Sequence, residues 1–438
     1  MPAVTAARRR AALRRALAAA AFAAACGLLA SRAWTLVNVP GAPDDHHWVL
    51  QDFRDAIYYP VVALVHGDNP YDVVRYRAAY PVAQEFPVYS PLTLLLHLPF
   101  GMLPYQAAEA LYFALTIGLT IGLAIVSLRL AGRAARPDAV LWLAALLLLS
   151  RPGHSNLLLG QSTLLAVFAT LAAWHWRRAR PGWAMLGMAV ATYKPTFGLP
   201  LAVLLCAAGA PRVALVGGGI GAALGGLMAI GPIAAAGGVL PFLDALVNNT
   251  SATQASRQVA PLSSWLRIDA WALLARATGG AAGGLAELAC SGLLLGAAAL
   301  ALHRQRDADD AASRVLGGGL LAFSVLLAVY HQTYDLLLLA PTATALGLGV
   351  PRALWAARPL ARRLGAACAV LPFANYAATH TALDRFGVGG AWWQLVVSLN
   401  GLALLVGWTL FVALVWAPLP LRRAAALPPR AARLRGAR

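Results

Sequence analysis

From Ala107 to Leu128 the chain reads AAEALYFALTIGLTIGLAIVSL, 22 residues with Glu109 as the single charge. A run of that length and polarity spans a bilayer as one helix. The rest of the chain repeats the theme. Of its 438 residues 60% are hydrophobic and 12% charged, and mean hydropathy is +0.66, which excludes a soluble domain of this size. The net charge of +18 and pI near 10.8 would suggest a nucleic-acid partner in a soluble protein. Here arginine in short loops, orienting membrane helices, accounts for the charge, and no nucleic-acid partner is expected. Cys26, Cys206, Cys290 and Cys368 each fall singly in apolar segments, which gives neither a disulfide framework nor a metal site.

Further apolar runs lie near 139–150, 155–174, 213–231, 281–302, 314–330, 334–350, 364–379 and 392–417. Ahead of them, Arg8-Arg9-Arg10 and Arg14-Arg15 precede an Ala/Leu-rich stretch to about Leu29, read as an uncleaved first helix with its N-terminus in the cytoplasm. The shorter runs 88–103, 182–192 and 196–209 are interrupted by Pro, Gly or Lys. They read as re-entrant or broken: 88–103 as re-entrant and 182–209 as a pair that enters and leaves. Segment 262–275 is an interfacial candidate. The expected fold is all-α and polytopic, with about 10–13 membrane helices and a surface helix in the first outer loop. Residues 1–34 form the cytoplasmic N-terminus and first helix, 35–106 an outer catalytic loop, 107–420 the multi-span domain and 421–438 a basic cytoplasmic tail.

This arrangement puts the N-terminal cluster, Arg129/Arg133/Arg136, Arg177/Arg178/Arg180, Arg212, Arg304/Arg306/Arg314, Arg352/Arg358/Arg362/Arg363 and the six arginines after residue 420 on one side. Positive charge then faces the cytoplasm at every turn. The unusual polar residues collect on the opposite, outer side: loop 35–86, His154 to Gln161, Lys194-Pro195, loop 241–265, Tyr330 to Asp335 and His380 to Gln394.

Seven of the 17 acidic residues fall between 37 and 86. An acidic lead, Asp44-Asp45-His46-His47-Trp48, precedes a helix expected over Phe53 to His66 and ended by Gly67. The adjacent His46-His47 pair beside Asp44-Asp45 is a weak metal candidate, because adjacent histidines point apart on most backbones. Asp52 and Asp55 stand three apart at the start of that helix and share a face. An N-cap explains them as well as catalysis does.

Three other groups carry chemistry. Lys194 is the only lysine and interrupts an apolar stretch beside Pro195, where an ammonium must pair or face water; snorkelling to the interface is the structural alternative. His331 and Asp335 are four apart on one helical face, either a phosphate- or proton-handling pair or a structural cap. Loop 241–265, with Asn248-Asn249-Thr250-Ser251, Gln254, Arg257, Gln258 and Trp265, offers amides, hydroxyls and a ring suited to sugars, or is an ordinary solvated loop. His154, Gln161, His380, Asp384 and Arg385 lie on the same side; Trp392-Trp393 reads as an interfacial belt.

The ordered set Asp52-Phe53, Gly67-Asp68-Asn69-Pro70-Tyr71-Asp72, Tyr89-Ser90-Pro91-Leu92, Gly160-Gln161-Ser162, Lys194-Pro195 and His331-x-x-Tyr334-Asp335-Leu336 resembles glycosyltransferase family 87. The resemblance implies a multi-span transferase of the GT-C type that uses a polyprenyl-phosphate sugar, mannose in the first instance, and inverts the anomeric carbon on the outer face of a bacterial cytoplasmic membrane. It implies no cofactor. Its partners would be membrane lipids, the polyprenyl-phosphate sugar and a glycolipid or glycan acceptor. Asp52 or Asp55 would be the base: the Asp-Phe pair favours Asp52 and the spacing to Tyr59 favours Asp55. Lys194, His331, Arg54 and Arg257 would meet the donor phosphate, and Tyr58, Tyr59, Gln161, Asn248 and Asp335 the sugar or acceptor. An arabinofuranosyltransferase and a lipid-linked-sugar flippase or transporter are the competing readings. The inner loops hold no phosphate-cradling motif, which argues against a nucleotide sugar.

Overall fold

The computed structural model describes residues 2–37, 48–84, 89–281 and 283–417. The described residues are all helix and connecting loops, with two isolated bridges, Val37 to Val49 and Arg267 to Gln332. Six helices are long and apolar enough to cross a membrane: Arg8–Leu36, Tyr105–Leu130, Pro211–Ala235, Gly284–Arg304, Ala311–Ala328 and Gly390–Trp416. At 1.5 Å per residue even the 18 residues of Ala311–Ala328 reach about 27 Å. This is an all-α, multi-pass membrane protein.

Leucines at full helical length face outward, among them Leu285, Leu288 and Leu293 on Gly284–Arg304, as expected where lipid replaces water. Helix Ala311–Ala328 is instead central and almost wholly buried. Small residues set its close approaches: a Cβ on Gly319 would stand 2.1 Å from the Phe411 ring, and one on Gly407 2.5 Å from the Phe323 ring.

The first loop helix forms as the apolar spacing requires, in three pieces: Gln51–Phe53, a π-helical turn Arg54–Tyr58, and Tyr59–Val65. Pro60 has no N–H for the carbonyl of Ala56, which opens the ladder at the wide turn. Gly67, at φ +85°, ends it.

Five sequence expectations need correction. The run 155–174 is two helices, Arg151–Leu159 and Thr163–Trp176, parted at Gly160, whose φ of +73° no helix contains. The run 334–350 opens as a 3₁₀ helix, Thr333–Leu339, before Ala340–Gly347. Most of loop 241–265 is the helix Val239–Ala255, and in 262–275 only Ala270 onward is helical. Run 364–379 stops at Ala374. The Asp44-Asp45-His46-His47 lead and the basic tail lie outside the described residues.

Candidate functional site

The segments set on one side by the sequence enclose a cavity of about 1530 Å³. That exceeds the usual volume for one small ligand, leaving room for two substrates side by side.

Asp52 faces this cavity. Its Oδ2 accepts from Gln161 Nε2 at 2.5 Å and its Oδ1 from Gln84 Nε2 at 3.2 Å. Burial pushes the Asp52 carboxyl up to about 6, against the hydrogen bond from Gln161, which favours the ionised form. Such a value suits a base working near neutrality.

Asp55 points elsewhere. It is fully buried, takes Arg54 Nε at 2.7 Å, and accepts the backbone amides of Ala83 and Gln84 at 3.1 and 2.8 Å. Both aspartates meet Gln84, one at its side chain and one at its backbone, but only Asp52 lines the cavity, so the pair does not present one shared face to it. Asp55→Asn keeps an acceptor for the amides but takes one carboxylate away from the buried guanidinium. It should destabilise the protein by about 3 kcal/mol, read as lost thermal resistance in detergent.

Gly160 brings the Asp52 helix into place. Leu50 N donates to Leu158 O at 2.6 Å, and a Cβ on Gly160 would stand 2.6 Å from Phe53 Cβ. Gly160→Ala adds this clash to a left-handed backbone. Misplacing Asp52 by a fraction of an ångström should cut turnover about 10–100-fold with the protein still inserted, measured against matched protein levels.

Beyond the glycine, three successive residues fasten the site. Gln161 holds Asp52; Ser162 takes the Tyr193 hydroxyl through its carbonyl at 2.7 Å; Thr163 donates to Asp335 Oδ1 at 3.0 Å. Lys194 Nζ lies 2.6 Å from the same Asp335 oxygen and 3.2 Å from Thr163 Oγ1. Tyr334 and Phe197 offer the ammonium their ring faces at 5.0 and 5.2 Å. Asp335 Oδ2 meets His331 Nδ1 at 2.9 Å and accepts from Gln332 N at 3.1 Å; His331 Nε2 lies 3.1 Å from Thr196 O. Lys194 reaches the cavity wall, whereas His331 and Asp335 stand behind it.

The remaining conspicuous motif, Asp68-Asn69-Pro70-Tyr71-Asp72, is a turn. Asn69 Oδ1 accepts from Tyr71 N at 3.0 Å, Asp72 caps the helix Val73–Ala79, and Tyr71 Oη donates to the carbonyl of cavity-lining Tyr89 at 3.0 Å.

A family model described as Glycosyltransferase family 87 matches residues 87–329, more than half of the chain. The chain belongs to glycosyltransferase family 87. It is therefore a membrane glycosyltransferase. No curated protein and no solved structure matches the chain. The matched segment contains Tyr89, Gln161 and Lys194 but begins after Asp52 and ends before His331; the fold joins those flanking residues to it.

Of the residues singled out in the sequence, the transferase brings Asp52, Gln161 and Lys194 to the cavity wall, together with His154, Gln254, Gln258, Trp265, His380 and Arg385. Arg54 is buried against Asp55. Tyr58 and Tyr59 join an aromatic cluster with Phe53 and Tyr105, Tyr58 donating to the Leu103 carbonyl at 2.8 Å. Asn248 is exposed off the wall, and its neighbour Asn249 donates to the Tyr71 carbonyl at 3.0 Å. Arg257 stands over the Trp265 ring, 5.9 Å from its centroid. Wall residues that sequence reasoning passed over include Arg32, Gln51, Gln84, Arg151 and Trp271. Among the described residues Glu287 is the other carboxylate on the wall, and Arg267 stands 3.6 Å from it.

Proposed function

We propose that this transferase moves a sugar, mannose in the first instance, from a polyprenyl-phosphate donor to a glycolipid or glycan hydroxyl, with inversion, on the outer face of a bacterial cytoplasmic membrane. The observation that carries it is Asp52: a desolvated carboxylate, open to the cavity, bonded to the amides of Gln84 and Gln161 and fastened through Gln161–Thr163 to the ammonium of Lys194. In this reading Asp52 takes the proton of the acceptor hydroxyl as it attacks the anomeric carbon. The bond from that carbon to the donor phosphate breaks, and Lys194 stabilises the departing phosphate charge. Asp335 and His331 hold Lys194 toward the wall.

Supporting the lipid-linked donor are the all-helical membrane frame and the lack of any nucleotide-cradling loop in the sequence. A transporter would use the charged pair as a translocation site near the midplane, with two similar halves. The test is transfer of labelled sugar from polyprenyl-phosphate mannose, with the arabinofuranose donor in parallel, to lipid and glycan acceptors in membranes carrying the protein. Transfer that needs Asp52 supports the reading; no transfer from any polyprenyl-phosphate sugar turns it toward transport.

A further inference from the structure

Arg267 stands on the cavity wall with its donors already engaged. Its Nε and Nη2 donate to the two carboxylate oxygens of Asp269 at 2.8 and 3.2 Å, and Nη1 donates to the Val259 carbonyl at 3.2 Å. The guanidinium carbon lies 5.1 Å over the Tyr330 ring. Asp269 in turn accepts from Ala272 N at 3.0 Å and so caps the helix Ala270–Ala277. A guanidinium whose bidentate edge is taken holds chain in place rather than recruiting a substrate phosphate.

What it holds is a short strap. Residues 266–268 run antiparallel to 331–333: Thr333 N donates to Leu266 O at 2.9 Å and Ile268 N to His331 O at 3.1 Å, on either side of the Arg267–Gln332 pair. Side chains alternate along such a pairing. Arg267, Tyr330 and Gln332 line the cavity, whereas His331 and Thr333 are buried behind it, where His331 and the amide of Gln332 meet Asp335. Two ladder bonds are too few to stand alone, so side chains secure the strap. Ser264 Oγ accepts from Leu266 N and Arg267 N at 3.2 and 3.1 Å and donates to Gln258 O at 2.6 Å. Arg276, itself buried, spends its guanidinium on carbonyls: those of Pro261 and Ser264 at 3.1 and 2.7 Å, and that of Val397 in helix Gly390–Trp416 at 3.4 Å. A buried cation satisfied in this way clamps backbone to backbone.

We propose that Arg267 and Arg276 are positioning residues for the transfer step: they fix the register of strap 264–268 against 331–333, which sets His331 and Asp335 and through them the ammonium of Lys194. The link from Lys194 to the departing phosphate rests on the function proposed above; the link from the arginines to Asp335 does not. The path is short. One ladder bond joins Ile268 to His331, His331 Nδ1 and the Gln332 amide both end on Asp335 Oδ2, and Asp335 Oδ1 holds Lys194 at 2.6 Å.

Two arms keep these links separable. In detergent, backbone hydrogen exchange is followed in wild type, Arg267→Lys, Arg276→Met and Ser264→Ala. Peptides covering 264–269 and 330–335 should both exchange about tenfold faster in each variant, with peptides from Ala311–Ala328 unchanged. Acceleration confined to 264–269, or absent from both, overturns the strap. Ser264→Ala removes a single oxygen, so it tests the strap even if an arginine variant fails to fold. In the transfer assay, Arg267→Lys should lower kcat about tenfold per folded molecule with both substrate KM values within about twofold of wild type, because a point charge cannot replace the fork and only the transition state feels the loss. A raised KM with kcat intact overturns positioning and makes Arg267 a binding group. In a Lys194→Arg background the same substitution should cost no more than about twofold, since the arginine works through the lysine; a further tenfold loss there assigns a general structural role and overturns the proposal. Were the wild type to transfer nothing from any polyprenyl-phosphate sugar, the reading of Lys194 would fall while the exchange arm still decided the strap.

Discussion

Asp52→Asn is expected to lower sugar transfer by about 10²–10⁴-fold while leaving the protein inserted and folded at wild-type level. The substitution keeps size and shape and takes away only the basicity. Among the described residues no cation is paired with Asp52; its partners there are the amides of Gln161 and Gln84, which can still bond an asparagine. Loss of activity with unchanged stability therefore isolates the proton-accepting role. The pH dependence supplies a second signature. With its carboxyl raised to about 6 by burial, Asp52 is an active base only above that pH. Wild-type kcat/KM should fall tenfold per unit below about pH 6 and level off above it, and that limb should vanish from whatever activity Asp52→Asn retains. Asp55→Asn gives the opposite pattern, a loss of folded protein with activity per folded molecule far less reduced. Equal loss of turnover in both variants at matched folded protein would return the choice of base to Asp55.

Much of the frame could be read in advance because lipid-facing helices must be apolar for their full length, and runs such as 107–128 and 392–417 leave no alternative. The elements that escaped did so for identifiable reasons. Gly160 sits inside a run whose average polarity hides a break, and glycine is common enough in membrane helices that only the approach of Phe53 explains it. The stretch Asn248 to Gln254 looks like loop because its residues are poor helix formers. Yet Thr250, Ser251 and Thr253 turn their hydroxyls back onto carbonyls four residues earlier, at 2.7, 2.9 and 2.8 Å, and so satisfy themselves within a helix.

The site was legible as a grouping of segments more than as a list of residues. Ten basic residues depart from the arginine-rich face, and five of them, Arg32, Arg151, Lys194, Arg267 and Arg385, line the cavity. The exceptions to the charge rule held that signal; Lys194 drew notice by being a lysine and Arg385 by its neighbours, while Arg32, Arg151 and Arg267 were passed over. Conversely, Arg54 and Tyr58 carry attractive chemistry beside Asp52, but helical turns point neighbours apart: Phe53, Arg54, Asp55 and Tyr58 are buried away from the cavity while Gln51, Asp52, Ala56 and Ile57 line it.

Lys194→Met should show the second large effect, on stability and activity together. The ammonium and Asp335 are both nearly inaccessible at 2.6 Å, and Asp335 also fixes Thr163, His331 and the amide of Gln332. Removing one partner leaves the carboxylate buried with less compensation, a cost of about 3–5 kcal/mol. Lys194→Arg separates the two roles. It keeps the charge, so more of the protein should survive in a thermal-shift assay, but a planar fork does not fit a pocket built for a point charge between Tyr334 and Phe197. Transfer by the folded Arg variant should therefore remain at least about tenfold below wild type. Were Lys194→Arg both stable and fully active, the lysine would be a structural counter-ion only, and the charge facing the departing phosphate would have to come from elsewhere on the wall.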